Sequence, residues 1–463
     1  MQIDLSTIDA IDKNNVSLMG RSQTPGMVVG LVQDGKPVFI KGYGVSNINT
    51  SMDVNADTVF RIASISKILT AVGVIQLVER KKIDLDGPVD SYLRSFRIRK
   101  HDLADPPITI RHLLTHMAGI GELAPLLGYI QPQTFMGVSL KNRSLPSLSK
   151  LYRGELRPDR SPGMAWSYAN HGYATLGQVI ADVSGLSFPK YMQQNIFEPL
   201  DMHCSDFVRS EKVTHALATG YWQFMGKFRP VLDVDIITLA DGSLFTNASD
   251  FAKFLGAIST NGGDIISNQS LGMMMRPQYQ LDKHLPAMGL GFQLESRTLW
   301  GGNLVASHTG LWLGFHSSMM MAPKHQVGAF AFGNDGRTIA LSAASASLRR
   351  TLDNDIPSKT PPQVKPRPEL WPKLSGIYEP LAGLNSNLRL WLVYRARFKV
   401  KEHEGKLMLY SRSGPWQKGV TLRPIDPDNP LVFRAGQQTI VFKRNAQGEI
   451  DRFAMRFTEL FKQ

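Results

Sequence analysis

Apolar positions recur at two different periods along this 463-residue chain, and the change of period divides it. In TVFRIASISKILTAVGVIQLVERKKIDLD, the residues Ile65, Ile68, Leu69, Val72, Ile75 and Val78 follow the repeat of an amphipathic helix that opens at Ser64. Earlier, the run MVVGLVQDGKPVFIKGYGV is broken by Asp34-Gly35, a dipeptide that favours a tight type I′ hairpin turn. A second hairpin is expected in FHSSMMMAPKHQVGAFAFGN, followed by a helix in RTIALSAASASLRRTLD. Strands at both ends of this region, with helical segments between them, predict a sheet assembled from its two termini and flanked by helices.

Downstream the alternation changes to period two, in LRLWLVYRARFKV, KLMLY, LVFRA and TIVFKR, with turns at Glu404-Gly405 and Gln447-Gly448. That pattern predicts a small antiparallel β domain of barrel type. Between the two regions, DNDIPSKTPPQVKPRPELWP is rich in proline, which removes backbone donors and fixes φ, as suits an extended linker. The expected organisation is a first domain over 1–355, a Pro-rich linker over 356–372 and a β domain over 373–463.

Composition adds little to this picture, because 43% hydrophobic and 20% charged residues are ordinary for a globular chain. No apolar run reaches the ~18 residues a membrane span needs. The start, MQIDLSTIDAIDKNN, carries neither a basic leader nor an apolar core, so the expected location is cytoplasmic, or periplasmic where a signal peptide has been removed. The single cysteine, Cys204, excludes an internal disulfide and reads as a small half-buried residue. Net charge is +13, and +10 of it lies in residues 357–463, with 19 basic against 9 acidic residues. No zinc-finger spacing, aromatic RNA-binding run or dense basic helix accompanies the excess, so a solvated basic face, or attraction to an acidic partner or membrane surface, is expected and nucleic-acid binding is not.

The chemistry begins with Ser64 and Lys67, one helical turn apart, so that the amine can reach the hydroxyl from the same face. A serine needs a partner to accept its proton, and an amine can serve where burial and a positive helix end disfavour the charged form. Ser-x-x-Lys alone also arises by chance, as a helix cap followed by a surface lysine. A second element is Tyr168-Ala-Asn170 in SPGMAWSYANHGYATLGQVIADVSG, where Pro162-Gly163 make a turn and the tyrosine sits on a loop feeding a helix. A phenol beside an amine can shuttle a proton to a leaving group, and Asn170 can orient Lys67 or a substrate amide. The third is His308-Thr309-Gly310 in NLVASHTGLWLGFHSSMMMAP, between two strand candidates, where glycine permits close approach of a substrate to a strand edge.

In this order and at these separations, the three elements resemble the serine β-lactamase and penicillin-binding superfamily, on the branch of class C-like enzymes, esterases and D-amino-acid peptidases. The resemblance covers roughly residues 20 to 350 and extends to ITIRHLLTHMAGI, NIFEPLDM and ADGSLFTNASDFAKF. It implies an α+β fold, a central antiparallel sheet flanked by helices. It implies Ser64 as the acylated nucleophile, Lys67 as its proton-accepting partner and Tyr168 as general base or acid. It further implies Asn170 as a polar positioner, and an oxyanion hole from the backbone N–H groups of Ser64 and Leu311 beside Gly310. His308 stands where many relatives carry the lysine of Lys-Thr-Gly, and a neutral imidazole attracts a substrate carboxylate less than an ammonium does. Small esters, or peptides with D-residues or unusual linkages, are therefore expected ahead of β-lactams. β-Lactamase or DD-peptidase activity is the alternative within the family, and a non-hydrolytic sensor or scaffold the alternative outside it. No metal or organic cofactor is implied; a homo-oligomer is compatible. The segment from LSGIYEP onward resembles the lipocalin-like domain appended to some of these enzymes.

Other motifs carry less. Gly30 to Lys36 mimics a phosphate loop, but Pro37 stands where Ser or Thr would bind magnesium. His112 and His116 lie four apart on an expected helix without the glutamate of zinc peptidases, and read as packing. No Gly-x-Ser-x-Gly elbow occurs, and Met319, Met320 and Met321 read as a core strand.

Overall fold

In the computed structural model, which describes residues 3–122, 130–131, 134–135, 138–140, 144–352, 364–383 and 386–463, Asp34 and Gly35 both take positive φ. They join two strands whose register places Gln33 opposite Lys36, the two-residue turn the dipeptide favours. Chain order is α1 (Leu5–Ser22), β1 (Gly26–Gln33), β2 (Lys36–Asn47), β3 (Met52–Asp53), α2 (Ser66–Glu79), α3 (Asn170–Ser184) and α4 (Ala248–Ser259). Then follow β4 (Ala287–Met288), β5 (Gln293–Leu294), β6 (Ala306–Trp312), β7 (Phe315–Ala322), β8 (Val327–Gly333) and α5 (Ile339–Thr351).

The strands form one antiparallel sheet in the order β4-β5-β6-β7-β8-β1-β2-β3, so that β1 and β8, from opposite ends of this region, pair at its centre. β7 and β8 are buried along their whole length, including Met319, Met320 and Met321, because helices cover both faces. α1 and α5 cover one face and α4 the other. Behind α4's face lies α2, which is buried on nearly every side and therefore shows apolar residues all round.

The second region is a closed barrel of eight antiparallel strands in sequence order, from β9 (Gly376–Glu379) through β10 (Phe398–His403), β11 (Lys406–Ser411), β12 (Val420–Pro424), β13 (Val432–Ala435), β14 (Gln438–Arg444) and β15 (Ile450–Met455) to β16 (Thr458–Lys462). β9 and β16 pair, with Tyr378 opposite Lys462, which removes the open edges. Rings of Tyr378, Phe398, Phe433, Phe442 and Phe453 fill the interior, meeting edge-on or tilted at 5.0–6.0 Å.

One element differs from its expectation. Leu388–Tyr394, read above as strand from its alternation, is a helix, α6, between β9 and β10. Leucine and arginine are good helix formers, and Trp391, Leu392 and Val393 are exposed, so no sheet face required a period of two here. Arg395 and Ala396 take positive φ and end the helix; the alternation holds only from Phe398. Residues 353–363, most of the Pro-rich stretch, lie outside the described residues, and from Pro368 to Leu374 the chain is a short 3₁₀ turn and helix. Among the described residues no helix is long and apolar enough to cross a membrane.

Candidate active site

Ser64 lies in a single 3₁₀ turn, Ala63–Ile65, that leads into α2 one turn earlier than the α-helix proper. Ala63, directly before it, is held at φ 49°, a left-handed conformation that an L-residue adopts at a cost of order 1–3 kcal/mol. β6 crosses this turn closely. A Cβ at Gly310 would lie 2.2 Å from the Ile62 carbonyl oxygen and 2.3 Å from Ser317 Oγ, so the close approach that glycine permits is that of the chain leading to Ser64. Ser317 Oγ donates to that same carbonyl at 2.6 Å.

Lys67 is fully buried. Its Nζ donates to Asn170 Oδ1 at 2.8 Å and to the Asp241 carbonyl at 2.6 Å, and lies 3.2 Å from Ser64 Oγ. Both other partners are oxygens that only accept, so two N–H groups are committed to them. The third position on nitrogen faces Ser64, as an N–H in the ammonium and as a lone pair in the free amine. Asn170 opens α3, and its orientation is set because its Nδ2 donates to Glu122 Oε2 at 3.1 Å, leaving Oδ1 for the lysine. The Asp241 carboxyl, 4.0 Å from Nζ, is pushed up to about 6 by burial, against the pull of Lys67.

Two tyrosines face this amine, and their hydroxyls differ. Tyr173 donates to the Leu114 carbonyl at 2.9 Å and burial pushes its phenol up, so its proton is committed. Tyr168, whose ring centroid is 4.9 Å from Nζ, makes no hydroxyl hydrogen bond among the described residues and is free to serve a substrate. Its ring is stacked on His116 at 4.4 Å, and that imidazole accepts from Ala169 N at Nδ1. Burial, reinforced by Lys67, holds His116 neutral. The Arg389 guanidinium, from α6 of the barrel, lies 4.0 Å from the Tyr168 centroid.

His308 on β6 is buried, 6.5 Å from Tyr168 between ring centroids. Its Nδ1 is 2.8 Å from the Thr309 carbonyl, which requires the proton there and leaves Nε2 with a lone pair. Burial first, then Lys67, lowers this histidine to about 3, so it offers a neutral edge and no cation. Leu311 follows Gly310 with its side chain exposed at the end of β6. His112 accepts from Thr109 N within a helix cap, and no group of residues suited to a metal occurs among the described residues.

The structure therefore brings Ser64, Lys67, Asn170, Tyr168 and His308 into one cluster. Sequence reasoning missed His116, Glu122, Tyr173, Asp241 and Arg389. His116 was set aside as packing. Its position two residues before Ala118-Gly119, in the quoted ITIRHLLTHMAGI, was the available signal.

The model of the family described as Beta-lactamase matches residues 11–351. The chain belongs to that family. Among curated relatives it is 28% identical over 248 residues to a putative penicillin-binding protein, PbpX, of Bacillus subtilis (strain 168), covering 53% of this chain and 58% of that one. It is 30% identical over 190 residues to esterase EstB of Burkholderia gladioli, covering 40% and 48%. The chain thus spans about half the length of these relatives. The octameric penicillin-binding protein homologue of Pyrococcus abyssi has the same fold at a TM-score of 0.64 and 22% identity, covering 98% of this chain and 100% of that one. That alignment takes in the barrel as well as the sheet.

Proposed function

We propose that this family member works through an acyl-enzyme on Ser64, acting on small esters or on peptide and amide bonds of D-residue or unusual type. The observation that carries the reading is the Lys67 amine, tied by two N–H groups to Asn170 Oδ1 and the Asp241 carbonyl and turned with its third position to Ser64 Oγ. Ser64 Oγ attacks the substrate carbonyl while its proton passes to the Lys67–Tyr168 pair. The oxyanion is held by the backbone N–H groups of Ser64 and Leu311. The pair returns the proton to the leaving oxygen or nitrogen, whose bond to the acyl carbon breaks. Water then adds to the ester, giving up a proton by the same route, and Ser64 Oγ regains its hydrogen as the acid departs. No step calls for a metal or an organic cofactor.

A cavity of about 360 Å³ lined by Arg61, Leu217, Val231, Trp312, Leu313 and Phe315 adjoins the end of β6, and supports a small acyl group lodged beyond Leu311. The neutral His308 argues for esters and uncharged amides over anionic β-lactams. Penicillin-binding relatives favour a second reading, β-lactamase or DD-peptidase activity. The octameric homologue makes a homo-oligomer part of the proposal. Mass spectrometry after incubation with a p-nitrophenyl ester, a D-amino-acid amide and a chromogenic cephalosporin should show an adduct on Ser64 with the first two. Turnover of all three without any adduct, or normal turnover by Ser64→Ala, would overturn the mechanism. A protein silent on all three is a binder that kept the fold.

A further inference from the structure

Because the barrel's interior is filled by its own rings, what it contributes lies on its outside, and there it meets the loop that carries Tyr168. Asp159 accepts from Ser386 N at 3.0 Å and from the Ser386 hydroxyl. Arg160 donates from Nε to the Ala382 carbonyl at 2.8 Å and from Nη2 to the Leu381 carbonyl at 3.0 Å. Gly383 sits so close that a Cβ there would lie 2.8 Å from Arg160 Nε, at φ +127° where only glycine is at ease. Trp166 packs on Phe457 at 4.9 Å. Ser167, the residue before Tyr168, donates to the Ser386 carbonyl at 3.0 Å.

The contact ends on Tyr168 itself. The Arg389 guanidinium carbon lies 4.0 Å from the Tyr168 ring centroid, and its Nε donates to Glu122 Oε1 at 2.6 Å. The other oxygen of Glu122 receives Asn170, whose Oδ1 holds Lys67. A planar guanidinium can lie on an aromatic face and bond a carboxylate in its own plane at once, which a lysine cannot. We propose that Arg389 is a positioning residue: from the barrel it fixes both partners of Ser64, Tyr168 through the face of its ring and Lys67 through Glu122 and Asn170. The barrel is then a working part of the catalytic centre. The inference rests on the acyl-enzyme reading above.

The test uses the full chain and the rate of Ser64 acylation by a p-nitrophenyl ester, with the adduct located by mass spectrometry. Arg389→Ala should slow acylation roughly 10–10²-fold, the cost of a misplaced partner, with KM changed less than about 2-fold. Arg389→Lys, which keeps the charge and most of the stem, should recover part of the loss and serves where alanine disturbs folding. In a Tyr168→Phe background the same Arg389→Ala change should cost less than in the wild type, because one of the two partners it positions is already disabled while the Glu122–Asn170–Lys67 route remains. Multiplicative losses in that double variant, or wild-type acylation by both Arg389 variants, would overturn the inference while leaving Ser64 in its role. A KM effect confined to carboxylate-bearing esters, with kcat unchanged, would also overturn it and make Arg389 a substrate contact. Wild-type protein that leaves Ser64 unmodified removes the acyl-enzyme reading, and this inference with it.

Discussion

The two interiors of this protein are built on opposite terms. Beneath the sheet, a lysine, an aspartate and several histidines are buried, Lys67 bound to Asn170 and the Asp241 carbonyl and His116 to Ala169 N, while Asp241 Oδ1 and His316 Nδ1 have no hydrogen-bond partner among the described residues. Inside the barrel, the core is aromatic and aliphatic and its polar groups face outward. Burying unpaired polar groups is costly, so a domain that only needs to be stable does what the barrel does. The first interior carries a cost that stability does not explain, and this cost supports the proposal that the chemistry lies there.

The largest expected effect comes from removing the hydroxyl at the centre of the polar interior. Ser64→Ala should abolish ester turnover, and Tyr168→Phe should lower it by ~10²–10⁴, both read as initial rates. Acid should strike the same interior next. His116, His171, His308 and His316 are all held neutral chiefly by burial, His171 and His316 lowered to about 4 and His308 to about 3. In the unfolded chain they titrate near 6.5, so below that pH the unfolded state binds more protons and stability falls as pH falls, levelling off for each group only below its folded value. The histidine contribution is up to ~1.4 kcal/mol per pH unit for each group, measured by urea unfolding between pH 7 and 4. His316→Asn should reduce that proton uptake by about one; an unchanged slope would refute the assignment.

In the apolar interior, Phe453→Ala should cost about 3–5 kcal/mol of stability, seen in urea unfolding, with acylation kept at temperatures where the barrel is still closed. The smallest effect is expected on the outer side of α6. Leu392→Ser, at a side chain 73% exposed, should change stability by less than ~0.5 kcal/mol and leave turnover intact. A large loss there would blur the contrast, since it would give the barrel's surface helix a second task.

How far the sequence reveals this arrangement depends on the range of each contact. Ser64 and Lys67 are legible because one helical turn joins them, and the Asp34-Gly35 and Glu404-Gly405 turns because two residues suffice. Tyr168 and Asn170 lie a hundred residues away, and only a family resemblance connects them to Lys67. Glu122, Asp241 and Arg389 hold the cluster from three further parts of the chain, and no local pattern distinguishes a carboxylate or guanidinium that will be carried there. α6 was misread because seven mostly apolar residues suit either period, and the chain's exposure at that point, which decides the matter, is a tertiary fact.

The pairing of Thr458–Lys462 with the strand at Gly376–Glu379 sets an order of events during synthesis. A ribosome delivers α2 early and the strand that shuts the barrel late. Until that strand is released, the surface that grips the Asp159–Tyr168 loop has no finished scaffold, so this loop gains its hold late.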